Sequence, residues 1–186
     1  MTTTIQNLPE RALKALAPAS TAEERHLAIY MNDQLALGVL WREIARRSQR
    51  SNRGTALGAA LERVADAIAE DVETFEDIMQ RIGIPKNVAK PLLAMVGERF
   101  GRLKLNGQLR GYSPLSRFQE LDIIVTGIEG KVLLWTTLRD LAGLGARLPD
   151  VDFSALIERA QGQRTQLEPF HAQAGREALG AGAPSS

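Results

Sequence analysis

The sequence contains no cysteine and few aromatic residues, and both features limit what the chain can be. Without cysteine there can be no disulfide, no thiolate metal ligand and no cysteine nucleophile. Aromatic side chains make up only 5% of the 186 residues, so the apolar 44% must build a core mainly from leucine, isoleucine, valine and alanine. This composition favours packed helices over a sandwich of sheets.

An excess of one charge and a long apolar run are also missing. The 23 basic and 22 acidic side chains leave a net charge of +1, so any charged partner must be argued from local patches.

No run approaches about 18 uncharged apolar residues, the length that predicts a transmembrane helix. The first residues lack the basic and then apolar pattern of a secretion signal. We therefore expect a cytoplasmic protein. The excess of arginine over lysine is typical of a high-GC bacterial genome.

Apolar residues recur at helical spacing in four long segments, and no segment alternates as a strand would. The long helices are predicted at about 20–50, 55–82, 114–141 and 153–176, with a shorter helix at 86–100. The apolar stripe of the third long helix is Phe118, Leu121, Val125, Ile128, Val132 and Trp135. That of the fourth is Phe153, Leu156, Ala160, Arg164, Leu167 and His171. We predict one all-α domain over 21–176, a flexible arm over 1–20 and a disordered tail over 177–186.

About thirty residues separate the second and third long helices, far more than a simple helical hairpin needs. A connection of this length can travel along a bundle and make those two helices parallel, as in ferritin-like folds. The hairpin that contains "RGTALGAALER", residues 53–63, resembles the first half of a ferritin-like bundle. It is similar to uncharacterised bacterial ferritin-like proteins that lack the full di-iron ligand set. The resemblance covers about residues 22–176 and implies a four-helix architecture with a long crossover.

Two Glu-x-x-His pairs raise the question of a di-metal centre: Glu23 with His26, and Glu168 with His171. In the crossover topology these pairs lie at opposite ends of the bundle, about 20 Å or more apart, so they cannot share a metal. The second helix offers no histidine, and Pro169 removes a backbone donor within the later pair. We therefore expect neither a metal centre nor any other cofactor.

An alternative keeps a metal with few or no histidine ligands. Its ligands would come from the carboxylates Glu43, Glu70, Glu73, Glu120, Glu129 and Glu158. Most of these carboxylates lie off the predicted core stripes, which argues against this alternative.

A polar layer is predicted at the height where a ferritin-like bundle holds its metals. Its members are Gln34, Asp71, Glu129 and Arg164, one from each long helix. An arginine among them resembles a guanidinium that has replaced the metal cation, because it can bind a carboxylate through two hydrogen bonds. If the helical phase is shifted, the same four are ordinary surface residues.

Basic residues concentrate in two segments that the crossover topology brings to one end of the bundle. The candidates for anion binding are Arg46, Arg47, Arg50, Arg53, Arg102, Lys104, Arg110 and Arg117. Together they could bind nucleic acid or an anionic membrane surface. Alternatively, they complement helix dipoles and keep the end soluble. No nucleic-acid recognition motif or phosphate-binding loop accompanies them.

The sequence therefore favours a non-catalytic helical bundle that serves as a structural or protein-interaction module and self-associates. A divergent di-metal oxidase or metal-binding protein is the first alternative. An anion-binding protein that uses the basic end is the second. Although serine, aspartate and histidine are present, their spacing does not suggest a catalytic triad.

Overall fold

The computed structural model describes residues 21–87 and 112–180, which form helices and no strand. The long helices are α1 (Ala22–Ser51), α2 (Ala56–Arg81), α3 (Pro114–Thr136) and α5 (Phe153–Leu179), and the short helix is α4 (Leu144–Arg147). A π-helical turn, Thr137–Leu141, continues α3. The prediction of an all-α protein is confirmed. The predicted arm over 1–20 and nearly all of the predicted short helix over 86–100 lie outside the described residues.

Each long helix starts at a residue whose side chain caps its first turn. Thr21 and Glu24 form a reciprocal capping box at the start of α1. Thr55 caps α2 by accepting a hydrogen bond from the amide of Gly58 at 3.0 Å. Ser113 and Asp152 cap α3 and α5 in the same way. These side chains fix the ends of the helices and so position the residues further along them.

Contacts towards the two ends of α1 show where the chain leaves α2 and where it enters α3. The side chain of Asn32 donates to the carbonyl of Pro85 at 3.2 Å and accepts from the amide of Asn87 at 2.5 Å. The side chain of Asn52 donates to the Tyr112 hydroxyl at 3.0 Å. Twenty residues of helix span about 30 Å. The chain therefore leaves α2 at one end of the bundle and enters α3 at the other.

Contacts between helices give the direction of each one. Along α3, Glu120 meets Arg47, and Gly127 lies against Trp41, so α3 runs antiparallel to α1. Because α1 and α2 form an antiparallel hairpin, α2 and α3 run the same way. The α5 helix runs antiparallel to α3, as the contact between Phe118 and His171 requires.

The buried apolar residues form two separate clusters, one towards each end of the bundle. The upper cluster contains Ile44, Ala45, Leu57, Ala60, Leu61, Val64, Ala65, Ile68, Leu121, Ile124, Ile128, Ala160, Leu167 and Ala174. The lower cluster contains Met31, Leu35, Val72, Phe75, Ile78, Met79, Leu134, Trp135, Leu138, Leu144, Leu148, Phe153 and Leu156. The division falls between Ile68 and Val72 on α2 and between Ile128 and Leu134 on α3.

The last helix is longer than the sequence predicts. It continues through Pro169 to Leu179, so residues 177–179 of the predicted tail are helical. Pro169 is exposed, and the helix tolerates the loss of one backbone donor. Glu177 also accepts a hydrogen bond from Arg117 at 3.1 Å, which attaches this last turn to α3. None of the helices within 21–87 and 112–180 combines the length and the apolar character needed to cross a bilayer.

Candidate functional site

A buried carboxylate lies in the middle of the bundle with a cation on each side. Asp71 of α2 is only 3% exposed. Its Oδ2 accepts hydrogen bonds from Nζ of Lys131 on α3 and, at 3.3 Å, from Nε2 of Gln163 on α5. Its Oδ1 accepts a hydrogen bond from Arg159, also on α5. We call Asp71, Lys131, Arg159 and Gln163 the central polar cluster. It links three helices.

The central polar cluster separates the upper from the lower apolar cluster. Asp71 stands between Ile68 and Val72, and Lys131 stands between Ile128 and Leu134. Burial of an unpaired charge in such surroundings would be costly. Here each oxygen of Asp71 has a donor, and Nζ of Lys131 also donates to Oε1 of Gln163. The Asp71 carboxylate is therefore satisfied within the cluster, while Nε of Arg159 is buried without an acceptor among the described residues.

The two cations of the cluster differ in their surroundings. Arg159 reaches towards solvent, where it also pairs with the exposed Glu70 at 3.3 Å. Lys131 is more enclosed, with 12% of its side chain exposed. Burial lowers the pKa of Lys131 below its ordinary value, and the nearby Arg159 adds to that effect while Asp71 opposes it. The Lys131 side chain as a whole is thus less exposed than that of Arg159, at 12% against 35%.

A cavity of about 50 Å³ adjoins the central polar cluster. Asp71, Lys131 and Gln34 contribute its polar groups, and Trp41, Phe75 and Trp135 contribute aromatic rings. Trp135 is buried, and its indole N–H has no hydrogen-bond acceptor among the described residues. A buried donor without a partner is uncommon. The indole N–H is not exposed to the cavity, whose walls are almost wholly apolar and include Lys131 and Asp71 among their lining residues.

The predicted polar layer of Gln34, Asp71, Glu129 and Arg164 is only partly assembled. Gln34 and Asp71 line the same cavity. Arg164 does not lie in the core: its side chain is 50% exposed and pairs with the equally exposed Glu129 at 2.6 Å. The prediction that Arg164 occupies the place of a metal cation is therefore wrong. The cations next to Asp71 are Lys131 and Arg159.

The sequence interpretation missed Lys131, Arg159 and Gln163 because the buried faces of α3 and α5 are wider than the predicted apolar stripes. On α5 the predicted Phe153, Leu156, Ala160 and Leu167 are buried, but the core position after Ala160 is Gln163, three residues on, and not Arg164, four residues on. On α3 the predicted Leu121, Ile128 and Trp135 are buried, and so are Glu120, Ile124, Gly127 and Leu134. Lys131 has the same spacing as this second series and is partly buried. That spacing was the signal that could have identified Lys131.

A second buried carboxylate lies near the junction of α1 and α3. Glu120 accepts hydrogen bonds from Nε and NH2 of Arg47, and from the hydroxyl of Tyr112 at 3.0 Å. Asn52 donates to the same hydroxyl at 3.0 Å, and Ser48 lies 3.5 Å from it. We call these five residues the end cluster. Burial raises the pKa of Tyr112 above its ordinary value, and the neighbouring Glu120 carboxylate raises it further.

The predicted basic end has fewer available charges than the sequence suggests. Arg47 is bound within the end cluster, and Arg117 pairs with Glu177 at 3.1 Å. Arg46 lies 3.6 Å from Glu43. Exposed guanidinium groups at this end also include those of Arg50 and Arg53. Three further candidates lie outside the described residues: Arg102, Lys104 and Arg110.

The candidate metal ligands are dispersed. His26 is exposed in the first turn of α1, whereas His171 lies at the other end of the bundle, 3.0 Å from Asp122 and against the ring of Phe118. Of the candidate carboxylates, Glu120 is held in the end cluster, and the exposed ones are Glu43, Glu70, Glu73, Glu129 and Glu158. In the part of the chain that the structure describes, no three histidine, aspartate or glutamate side chains are grouped closely enough to hold a metal ion.

Comparison of the chain with protein-family models, with curated proteins and with solved structures finds no match.

Proposed function

We propose that this protein is a ferritin-like four-helix bundle that acts as a structural or protein-interaction module, with a cluster of protein charges in place of a di-metal centre. The observation that carries this proposal is the pairing of Asp71 with Lys131 and Arg159 inside the bundle. In a di-metal bundle, carboxylates from the helices converge on cations. Here lysine and arginine supply the cations themselves.

The direction of the helices supports the ferritin-like part of the proposal. Two antiparallel hairpins, α1 with α2 and α3 with α5, are joined by a chain segment that connects opposite ends of the bundle. A ferritin-like bundle has the same order of helices and the same single long crossover. The central polar cluster also lies in the interior of the bundle, between the upper and the lower apolar cluster.

The charges of the central polar cluster argue against a metal at this position. Lys131 and Arg159 already neutralise Asp71, so a divalent cation would have to displace or repel two positive side chains. Two of the exposed candidate carboxylates are also paired with arginine, Glu129 with Arg164 and Glu70 with Arg159. A di-metal centre would therefore require the side chains of the central polar cluster to rearrange. No contact among the described residues of the bundle favours that rearrangement.

Metal analysis of the purified full chain, produced in medium rich in iron and manganese, tests this proposal. We expect far less than one metal ion per chain and no iron oxidation. Stoichiometric metal that disappears in a Glu129→Gln variant, but not in a Glu62→Gln control, would establish the di-metal alternative instead. Light scattering over a range of concentrations tests the interaction module, since self-association predicts a mass above that of one chain.

The anion-binding alternative would rely mainly on Arg50 and Arg53 among the described residues, because Arg47 and Arg117 have internal partners. Binding of DNA or of anionic vesicles that is strong at low salt and falls steeply as salt rises would support it. Absence of binding at low salt would rule out the anion-binding alternative.

A further inference from the structure

The amine of Lys131 occupies a setting that favours covalent chemistry. It lines an apolar cavity, and it shares Asp71 with the second cation, Arg159. Lysines that are desolvated in an apolar pocket, or that lie beside another cation, are the ones that act as nucleophiles towards carbonyl compounds. Lys131 meets both conditions. Because burial also lowers its pKa, a larger share of its amine is neutral than on an exposed lysine.

The chain offers an internal comparison. Lys86 also pairs with a carboxylate, that of Glu76 at 3.0 Å, but its side chain is exposed and lines no cavity of this kind. A carboxylate partner is therefore common to both lysines, and the apolar cavity is what distinguishes Lys131.

We propose that Lys131 is a covalent capture site for short-chain aldehydes, which enter the adjoining cavity and condense with its amine to form a Schiff base. The inference rests on the cavity and its residues and does not depend on the ferritin-like resemblance.

The protons in this reaction move among the Lys131 nitrogen, the Asp71 carboxylate and the aldehyde oxygen. The Lys131 ammonium passes one proton to Asp71, and the neutral nitrogen attacks the carbonyl carbon. One of the two remaining N–H hydrogens moves to the former carbonyl oxygen, which gives a neutral carbinolamine. Asp71 then returns its proton to the hydroxyl group, the C–O bond breaks as the nitrogen lone pair forms the C=N bond, and water departs. The product is an iminium ion that keeps one N–H and one positive charge. It can still donate to Asp71, so the charge balance of the central polar cluster is unchanged.

The volume of the cavity sets the class of aldehyde. At about 50 Å³ it is far smaller than the roughly 150 Å³ engineered cavity that binds benzene. A carbonyl compound of two or three carbon atoms fits a space of this size, whereas an aromatic aldehyde does not. The site should therefore select strictly by size.

Reductive trapping on the full chain tests the proposal. The protein is incubated with acetaldehyde and cyanoborohydride at neutral pH, and ethyl groups are located by peptide mapping. We expect Lys131 to be ethylated several-fold faster than Lys86. Benzaldehyde should label Lys86 and spare Lys131, and in denaturant the two lysines should react alike. Equal or slower ethylation of Lys131 in the folded protein, or labelling of Lys131 by both aldehydes, would overturn the proposal.

Discussion

Arg47 on α1 donates from both Nε and NH2 to one oxygen of Glu120 on α3, at 3.0 and 2.5 Å. The Glu120 side chain is 1% exposed, whereas 28% of the Arg47 side chain faces solvent. The pair therefore buries its acid and leaves its base near the surface. This asymmetry determines which partner the fold can lose more easily.

Removal of the base should cost more than neutralisation of the acid. Arg47→Met leaves a buried carboxylate without its cation, and we expect a loss of about 3 kcal/mol in the free energy of unfolding. Glu120→Gln lets Arg47 turn to solvent and should cost about 1–2 kcal/mol. Arg46→Met is the matched control, since Arg46 is exposed, and it should change stability by less than about 0.5 kcal/mol. Urea unfolding measures all three, and equal losses for the two arginine variants would contradict the asymmetry.

The central polar cluster should show a similar imbalance between its acid and its lysine. Asp71→Asn leaves Lys131 and Arg159 facing each other without a carboxylate, at an expected cost of about 3–5 kcal/mol. Lys131→Met still leaves Asp71 with Arg159 and Gln163, so we expect a loss of only about 1–2 kcal/mol.

The control for these two variants is Arg164→Ala. Its ion pair with Glu129 is half exposed, and such pairs contribute about 0–1 kcal/mol. A loss in Arg164→Ala as large as that in Asp71→Asn would mean that Arg164 is the cation of the core after all. Thermal or urea unfolding of Arg164→Ala and Asp71→Asn therefore decides whether Arg164, or Lys131 with Arg159, supplies the cations of the core.

Tyr112 should titrate above its ordinary pKa. Burial, aided by the Glu120 carboxylate, favours the neutral phenol in the folded state. In a Tyr30→Phe background Tyr112 is the sole tyrosine, and its ultraviolet absorbance should report an ionisation midpoint above that of free tyrosine. A raised pKa contributes stability that is complete below the pKa of the unfolded chain and is lost as the pH rises through the folded value.

The corresponding stability measurement compares the parent with Tyr112→Phe at increasing pH. The parent should lose stability from about pH 10 upwards, and the phenylalanine variant should lack that part of the slope. If the two curves remain parallel through this range, the phenol of Tyr112 is not held neutral by the fold.

Two helical glycines should respond in opposite ways to alanine. A Cβ at Gly127 would lie 2.4 Å from the indole nitrogen of Trp41, so Gly127→Ala should force α1 and α3 apart and cost about 1–3 kcal/mol. A Cβ at Gly162 on α5 would meet nothing within 4 Å. Gly162→Ala should therefore stabilise the helix by about 0.5–1 kcal/mol. Melting temperatures that move in the same direction would refute the close α1–α3 contact.

The sequence predicted the helices well because caps and apolar spacing are local signals. The long helices lie close to their predicted bounds, and Asp71 was placed on the buried side of α2. The partners of Asp71 were not predicted, because two adjacent polar residues on α5 satisfy the same helical spacing. Gln163 takes the buried position because a neutral amide is less costly to desolvate, while the long Arg164 side chain extends to solvent.

The interior position of Lys131 was also not predicted from the sequence. Only one residue separates it from Glu129, which lies on the outside of α3, and hydropathy ranks both as surface residues. What brings Lys131 inside is the carboxylate on another helix, and a contact between distant parts of the chain has no local signal. The end cluster was missed for the same reason, since Glu120 and Arg47 are far apart in sequence.

The charges on and around the central polar cluster sum to zero: Glu70 and Asp71 on α2 offset Lys131 on α3 and Arg159 on α5. This neutrality constrains how the protein can evolve. Loss of the acid at 71 leaves two cations without a carboxylate and is tolerated only with matching changes on the other helices, whereas loss of one base leaves Asp71 with the other. Descendants of the same ancestral bundle should keep an acid at 71 with a base at 131 or 159, or replace all three with apolar side chains.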